Sequence, residues 1–545
     1  MVNFIMNNEK SEGKIFYGGS IITMNENQPK IEAVGIKKDK IIAVGSLSDV
    51  RNNIGKNHVL IDLKGSTLLP GFIDSHFHIV PILFFYVFLN LVNVRSQKEL
   101  QELLKQTAEQ KKPGEFIYGL NLKEEQFENL DERSLPNRHF IDEICPDNPV
   151  FLLRYDGHIG IANTKALELA GIDNNTISPE GGEIRKQNGE LTGILTENAT
   201  SLIMTKVSLP DPNEIMKAAA RAYKDLAAEG ITSIHGVVEL DKEGGVVNLG
   251  GLEIPLLKSI KDNILQDWYG IVFTAEPKKL KRIKKPPLDE GHKFGKFKIG
   301  CLKSWLDGTF GAATALMYNP FSDQPDKIGF RVIKEDILYE RMVKAHNLGF
   351  QIALHAVGDK ANSIVIDLYK KLLEEHPKDN HRHRIEHASM LTSDMIKDMK
   401  KLGIIASCQP PFINSEYTWL EKRIGKERCK YTYPFKSLVD AGVIIAAGSD
   451  GPVENPSVIL GLHALVTRNG FVPEESISIE EALKTYTING AYAAFEEDIK
   501  GSIEVGKLAN FVILDKNPLE IPKSEILNLK IMETIIRGTT VYKKE

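Results

Sequence analysis

The chain has 545 residues, 42% hydrophobic and 26% charged, with a formal net charge of -5 and a sequence pI near 6.3, a composition that supports more than one globular domain. Lysine and arginine are spread along the chain, and the basic run at 278–287 is one short stretch, so charge makes no case for nucleic acid or a membrane surface as partner. Cys145, Cys301, Cys408 and Cys429 lie far apart with no Cys-x-x-Cys pair, which excludes a dense disulfide framework and points to a reducing, cytoplasmic compartment.

The first residues, "MVNFIMNNEKSEGK", lack the apolar core and small-residue cleavage site of a signal peptide. Residues 14–63 read as short strands: "KIFYGGSIITMN", "AVGIKKDKIIAVG" and "HVLIDLKG" are β-branched runs punctuated by Gly, Asn and Asp. "GFIDSHFHIV" (71–80) follows as an apolar strand that ends on His76 and His78. Positions i and i+2 of a strand face one side, so both imidazoles point into the same space. The run "IVPILFFYVFLNLV" (79–92) is too short to span a bilayer and contains a proline, which makes it a buried segment or a pocket wall.

Residues 95–200 break the rhythm that follows and read as an insertion. Beyond them helical runs at 211–230 and 334–349 alternate with the strand runs "ITSIHG", "KFKIGCLKSWLDG", "GFQIALHAVG", "HRIEHASM", "GIIASCQ" and "GVIIAAGSD". Repeated β-then-α units with near-continuous apolar strands argue for a parallel sheet buried on both faces. The pattern alone leaves an open sheet and a closed barrel equally available. The tail, at 501–517 and 531–544, returns to the β texture of the beginning.

Polar residues close these apolar runs. His76 and His78, Lys303, His355, His387 and Asp450 all stand at strand C-terminal ends, where barrels and open parallel sheets both place their chemistry. Imidazoles with a carboxylate suit zinc and similar divalent ions. Taken singly, Lys303 reads as a snorkelling lysine and Asp450 as a turn residue or cap; together the six require too many coincidences at corresponding strand ends. An ammonium repels a cation, so Lys303 must stand apart or be changed: carbamylation by carbon dioxide makes it an anion able to bridge two metals about 3.5–4 Å apart.

These segments resemble the amidohydrolase superfamily, within it the branch of YtcJ-like proteins and N-substituted formamide deformylases. The similarity rests on "LLPGFIDSHFH", "LKSWLDGTFGAATA", "LHAVGDKAN", "RIEHASM", "GSDGPVENP" and "GSIEVGKLANFVILDKNP", in order over nearly the whole chain. "DGH" at 156–158, "NTKALELAG" and "GGEIRKQNGELTGIL" resemble the same branch. The resemblance implies an α/β chain: a (β/α)8 TIM-like barrel at 70–496, a small β-sandwich from both chain ends (1–69 and 497–545), and an α/β insertion at 95–200 after the first barrel strand. It implies that His76, His78 and Asp450 hold one metal, that His355 and His387 hold a second, and that carboxylated Lys303 bridges them. Some relatives keep one metal, so one or two divalent ions are open, with zinc foremost and Mn, Fe and Co compatible with the same donors.

The activity implied is hydrolysis of a C–N bond in an amide, formamide or cyclic amide, with Asp450 as general acid/base. A mononuclear deaminase of a heterocyclic amine is the alternative; it calls for an acid at His-x-x-Glu, where this chain has Gly358 after His355. A non-catalytic ligand-binding protein is a third reading, opposed by the retention of all six residues. His158, His235 and Trp305 are candidates to bind a small-molecule substrate, each equally compatible with a structural role. Cys301 is expected to be an inert buried thiol, Asp307 and Gly308 a turn, Asp359 a helix cap, and Glu386 a structural residue facing away from His387. Monomer and homodimer both stay open.

Overall fold

The computed structural model describes residues 12–155, 157, 159–179, 182–197, 199–207, 210–241, 251–285 and 297–545. Its centre is a sheet of eight parallel strands, paired in sequence order. They are β1 (Phe72–His78), β2 (Ile231–Glu239), β3 (Asp267–Phe273), β4 (Phe297–Trp305), β5 (Gln351–Ala356), β6 (Arg384–His387), β7 (Ile405–Cys408) and β8 (Ile445–Ala447). Every residue of β1, β2 and β3 is buried, as expected of strands covered on both faces. The barrel closes where the Asp450 N–H donates to the His76 carbonyl and the His78 N–H to the Gly451 carbonyl, each at 2.8 Å. β1 coincides with "GFIDSHFHIV" and six further strands with the apolar runs after the insertion, while β3, "DWYGIVF", was not among the expected strands.

Helices pack on the outside by the 3.6-residue period. In the helix Asp359–Glu375 the buried side chains are Ala361, Asn362, Val365, Ile366, Tyr369 and Leu372. The Tyr369 hydroxyl donates to the carbonyls of Ile352 (3.2 Å) and Arg384 (2.9 Å), fastening that helix to β5 and β6.

Both chain ends build two further sheets. One contains Lys40–Gly45, Ala33–Lys37, Gly13–Tyr17 and His58–Asp62 in that order; the other contains Thr539–Lys543, Ile531–Ile536, Phe511–Leu514, Thr67–Pro70, Ser20–Ile22 and Lys30–Ile31. Phe16, Val34, Leu68 and Phe511 share one buried cluster, with the rings of Phe16 and Phe511 edge-on at 5.7 Å. The tail is tied to the start of β3 by charge: the Lys500 ammonium lies 2.6 Å from Asp267, and Arg537 donates to its other oxygen at 2.8 Å. Burial alone would raise Asp267, but Lys500 and Arg537 overcome it and hold the carboxyl down at about 2.

A second compact unit comprises Val80–Ala222. Its mixed sheet runs Gly182–Gln187, Glu190–Glu197, Ile159–Ala162, Val150–Arg154, Ile117–Leu122 and Leu89–Asn90. Its own core includes Leu91, Leu100, Leu104, Phe127, Ile141 and Leu152. The apolar run at 79–92 forms a short helix, Pro81–Val87, with Pro81, Ile82, Leu83 and Phe84 buried; proline opens it, where its missing N–H costs nothing. Among the described residues no helix is long and apolar enough to cross a membrane.

Candidate metal centre

Alternation along β1 sends Asp74, His76 and His78 to one face. Asp74 sits lowest and pins the loop after β8: its carboxylate accepts the Ser449 hydroxyl at 2.6 Å, the Ser449 N–H at 3.1 Å and the His76 N–H at 3.1 Å. Gly448 permits this approach, because a Cβ there would lie 2.4 Å from the His76 nitrogen. Asp450 then takes the left-handed region, φ 59°. Its Oδ1 comes to 3.0 Å from His78 Nε2 and 3.3 Å from His76 Nε2. That oxygen is buried with no well-directed hydrogen-bond donor. The three side chains offer ligand atoms all within 4.8 Å of one another, the one such group among the described residues.

Lys303, His355 and His387 stand beside this group at the ends of β4, β5 and β6. The His355 and His387 rings are 4.4 Å apart, and the His387 and His76 rings 5.3 Å. Lys303 is buried, and burial lowers its amine to about 8 even though Glu386 and Asp450 pull it upward. Burial followed by the Lys303 charge lowers His355 to about 3, and burial followed by His355 holds His387 well below the usual imidazole range. Asp450 is held below the ordinary carboxylate range: burial opposes this, but His76, His78 and His387 outweigh it. Imidazole nitrogens around an orphaned carboxylate oxygen form a donor set that fits a divalent ion such as zinc.

Glu386 departs from expectation. It faces the barrel interior, on the same parity as Arg384, and accepts the Nδ1–H of His76 in a short contact. Strand parity misled because His387 is at φ 70° and Ala388 at φ 46°, so the chain turns at the strand end and brings His387 inward as well. Arg384 is fully buried and donates to Glu386, to the Ser407 hydroxyl at 2.6 Å and to His235 Nδ1 at 3.1 Å. Ser407 in turn donates to Glu386 at 2.8 Å. Burial alone would raise Glu386, but Arg384 and His76 drive it well below the usual range, so it stays an anion.

His235 is thus placed in the barrel interior against Arg384 and Tyr269, and is not one of the three residues whose ligand atoms gather within 4.8 Å. Trp305 stacks on His355 at 5.7 Å and meets Phe273 edge-on at 5.6 Å. His158 lies outside the described residues. Cys301 is fully buried and burial pushes its thiol up, the inert form. Asp307 does more than turn the chain: it is fully buried and accepts backbone N–H groups from Leu316 (2.8 Å), Val357 (3.0 Å) and Gly358 (2.9 Å), which fixes the loops around His355. Asp359 is the first residue of its helix rather than the cap and accepts the Tyr318 N–H at 2.9 Å.

Comparison with known proteins agrees with this architecture. The chain is 30% identical to the YtcJ protein of Bacillus subtilis (strain 168), covering 97% of this chain and 99% of that one. It is 26% identical to the N-substituted formamide deformylase of Arthrobacter pascens, covering 96% and 97%. The crystal structure of an uncharacterized metal-dependent hydrolase from Pyrococcus horikoshii superposes with a TM-score of 0.73 at 26% identity, covering 94% of this chain and 99% of that one. The amidohydrolase family model matches residues 59–542, a span that takes in all eight barrel strands, and the chain accordingly belongs to that family, as a metal-dependent hydrolase on a (β/α)8 barrel.

Proposed function

We propose that the chain hydrolyses a C–N bond of a small amide, formamide or cyclic amide, with Asp450 as general acid/base. The observation that carries this reading is Asp450 Oδ1, buried and without a directed donor, yet 3.0 and 3.3 Å from two imidazole nitrogens. One or two divalent ions, zinc foremost, held by His76, His78, Asp450, His355, His387 and carboxylated Lys303, supply Lewis acidity and activation of water near neutral pH. Glu386 fixes the tautomer of His76: by accepting from Nδ1 it leaves Nε2 as the lone-pair donor facing Asp450. Lys303 is prepared for modification by burial, which makes its neutral amine far more accessible than that of an exposed lysine; the amine nitrogen bonds to the carbon of carbon dioxide and releases one proton, leaving a carbamate anion.

Asp450 accepts the proton of the attacking water and passes it to the leaving nitrogen, so the departing group leaves as a neutral amine. The likeness to a formamide deformylase over most of both chains makes N-formyl amines the first substrates to try. Trp305 would wall the pocket, and His235 would act at one remove, by holding Arg384 against Glu386. The reading keeps the enzyme in the cytoplasm with a small-molecule substrate and no nucleic-acid or membrane partner. The test is Asp450→Asn. It should retain the fold and most of the metal while turnover of an N-formyl amine falls by about 10²-fold or more; a near-native kcat would remove Asp450 from this role.

A further inference from the structure

Apart from Asp450, whose free oxygen belongs to the candidate metal centre, the buried acids described above are satisfied. Asp74, Asp267, Asp307 and Glu386 each accept from two or more donors. Glu239, the last residue of β2, is 4% exposed and neither of its carboxyl oxygens has a partner among the described residues. It shares strand parity with His235, which faces the interior against Arg384, so its carboxyl points into the barrel mouth. Its backbone N–H is satisfied, donating to Glu253 at 2.7 Å; only the side chain is left over.

Trp305 presents the complementary defect. The indoles of Trp268 and Trp419 donate to carbonyls at 3.2 and 2.9 Å, whereas Trp305 Nε1 is buried without an acceptor. Glu239 and Trp305 end β2 and β4, separated by β3, where Phe273 pairs in register with Glu239 and meets the Trp305 ring at 5.6 Å. Unpaired polar atoms in such a place cost stability unless a ligand meets them.

We infer that Glu239 and Trp305 form a specificity subsite for a neutral carboxamide or ureido head on the substrate. The N–H and C=O edge of such a head matches a carboxylic acid in a paired hydrogen bond, and its oxygen has a second lone pair for the indole N–H. Phe273, between the two on β3, supplies the apolar surface beside the head. Burial, with Glu253 adjacent, pushes Glu239 up to about 8, which agrees with a protonated carboxyl and a neutral partner. The subsite rests on the C–N hydrolase reading for its purpose, though not for its existence.

The experiment uses the full-length, metal-loaded protein and N-formyl amines of equal chain length that end in a carboxamide, an ammonium or a methyl group. In parallel, calorimetry measures binding of hexanamide and hexylamine, which needs no hydrolysis. The carboxamide probe is expected to have kcat/KM about tenfold or more above the methyl probe, with the preference abolished in Glu239→Leu and reduced in Trp305→Phe. Glu239→Leu removes an unpartnered buried acid, so it should unfold no earlier than the parent; Glu239→Gln serves as the isosteric check.

Equal treatment of the probes, or an ammonium preference, overturns the subsite. So does loss of metal from Glu239→Leu, which would make Glu239 a ligand. Glu239-dependent hexanamide binding without hydrolysis of any formamide would sustain the subsite and sink the formamide form of the hydrolase reading. Hydrolysis without preference would do the reverse.

Discussion

Glu386, on β6, accepts the Nδ1–H of His76, on β1, across the interior of the barrel. The pair decides which nitrogen of His76 faces Asp450, and Arg384 and Ser407 hold the glutamate in place. Groups that orient a metal-binding imidazole in this way are worth about 10–100-fold in metal affinity. Glu386→Gln keeps the shape and an acceptor oxygen but removes the charge. Zinc affinity, measured by chelator competition well below the melting temperature, should fall within that range. Chemical unfolding should also show a loss of about 3–5 kcal/mol, because the buried Arg384 loses its counter-charge. Unchanged zinc affinity in the folded variant would mean that Glu386 serves Arg384 alone.

Gly448 sets how closely the loop after β8 can approach β1. A Cβ at this position would meet the His76 nitrogen at 2.4 Å and Asp74 Oδ1 at 2.8 Å, and the first of these is backbone that cannot yield. Gly448→Ala should therefore cost about 1–3 kcal/mol of stability by overpacking. It should also displace Asp450, two residues on, so that zinc affinity drops by more than the stability loss explains. A variant that loses stability while binding zinc as the parent does would show that the loop relaxes without moving Asp450.

The positions of the six strand-end residues were legible because each one closes an apolar run, and because two histidines at i and i+2 need no long-range information to share a face. Closure of the barrel was not, since it rests on hydrogen bonds between Asp450 and His76 and between His78 and Gly451, pairs far apart in sequence. Glu386 was misread for a local reason: parity holds only while the backbone is extended, and His387 leaves that region at φ 70°. β3 escaped notice because it ends on Phe273, with no histidine, lysine or carboxylate to mark the strand end. Asp307 looked like a turn because its three acceptor contacts come from loops that only the fold brings together. Glu239 carried no signal at all; an acid ending a strand is ordinary until its lack of partners is visible.

A final prediction concerns pH and a second group of histidines, near the start of β6. His383 is fully buried, and its Nδ1 accepts the Ile352 N–H at 3.1 Å. Its proton must then sit on Nε2, from which it donates to His346 Nδ1 at 2.8 Å; His346 passes the pattern on by donating from Nε2 to the His376 carbonyl at 3.0 Å. His381 is also committed at both nitrogens, accepting the His383 N–H at 2.9 Å and donating to the Leu402 carbonyl at 2.8 Å. A proton added to any of these rings sets N–H against N–H. Burial, then His381 and His346, holds His383 well below the usual imidazole range. The unfolded chain takes up this proton near pH 6.5 and the folded chain does not, so the contribution is complete above about 6.5 and is lost as pH falls, at up to about 1.4 kcal/mol per pH unit for each such histidine. His383→Asn preserves an acceptor for Ile352 and does not titrate. Urea unfolding between about pH 7.5 and 5.5 should show a shallower loss of stability in the variant, by one proton's worth of slope. Parallel curves for the two proteins would place the acid sensitivity elsewhere in the fold.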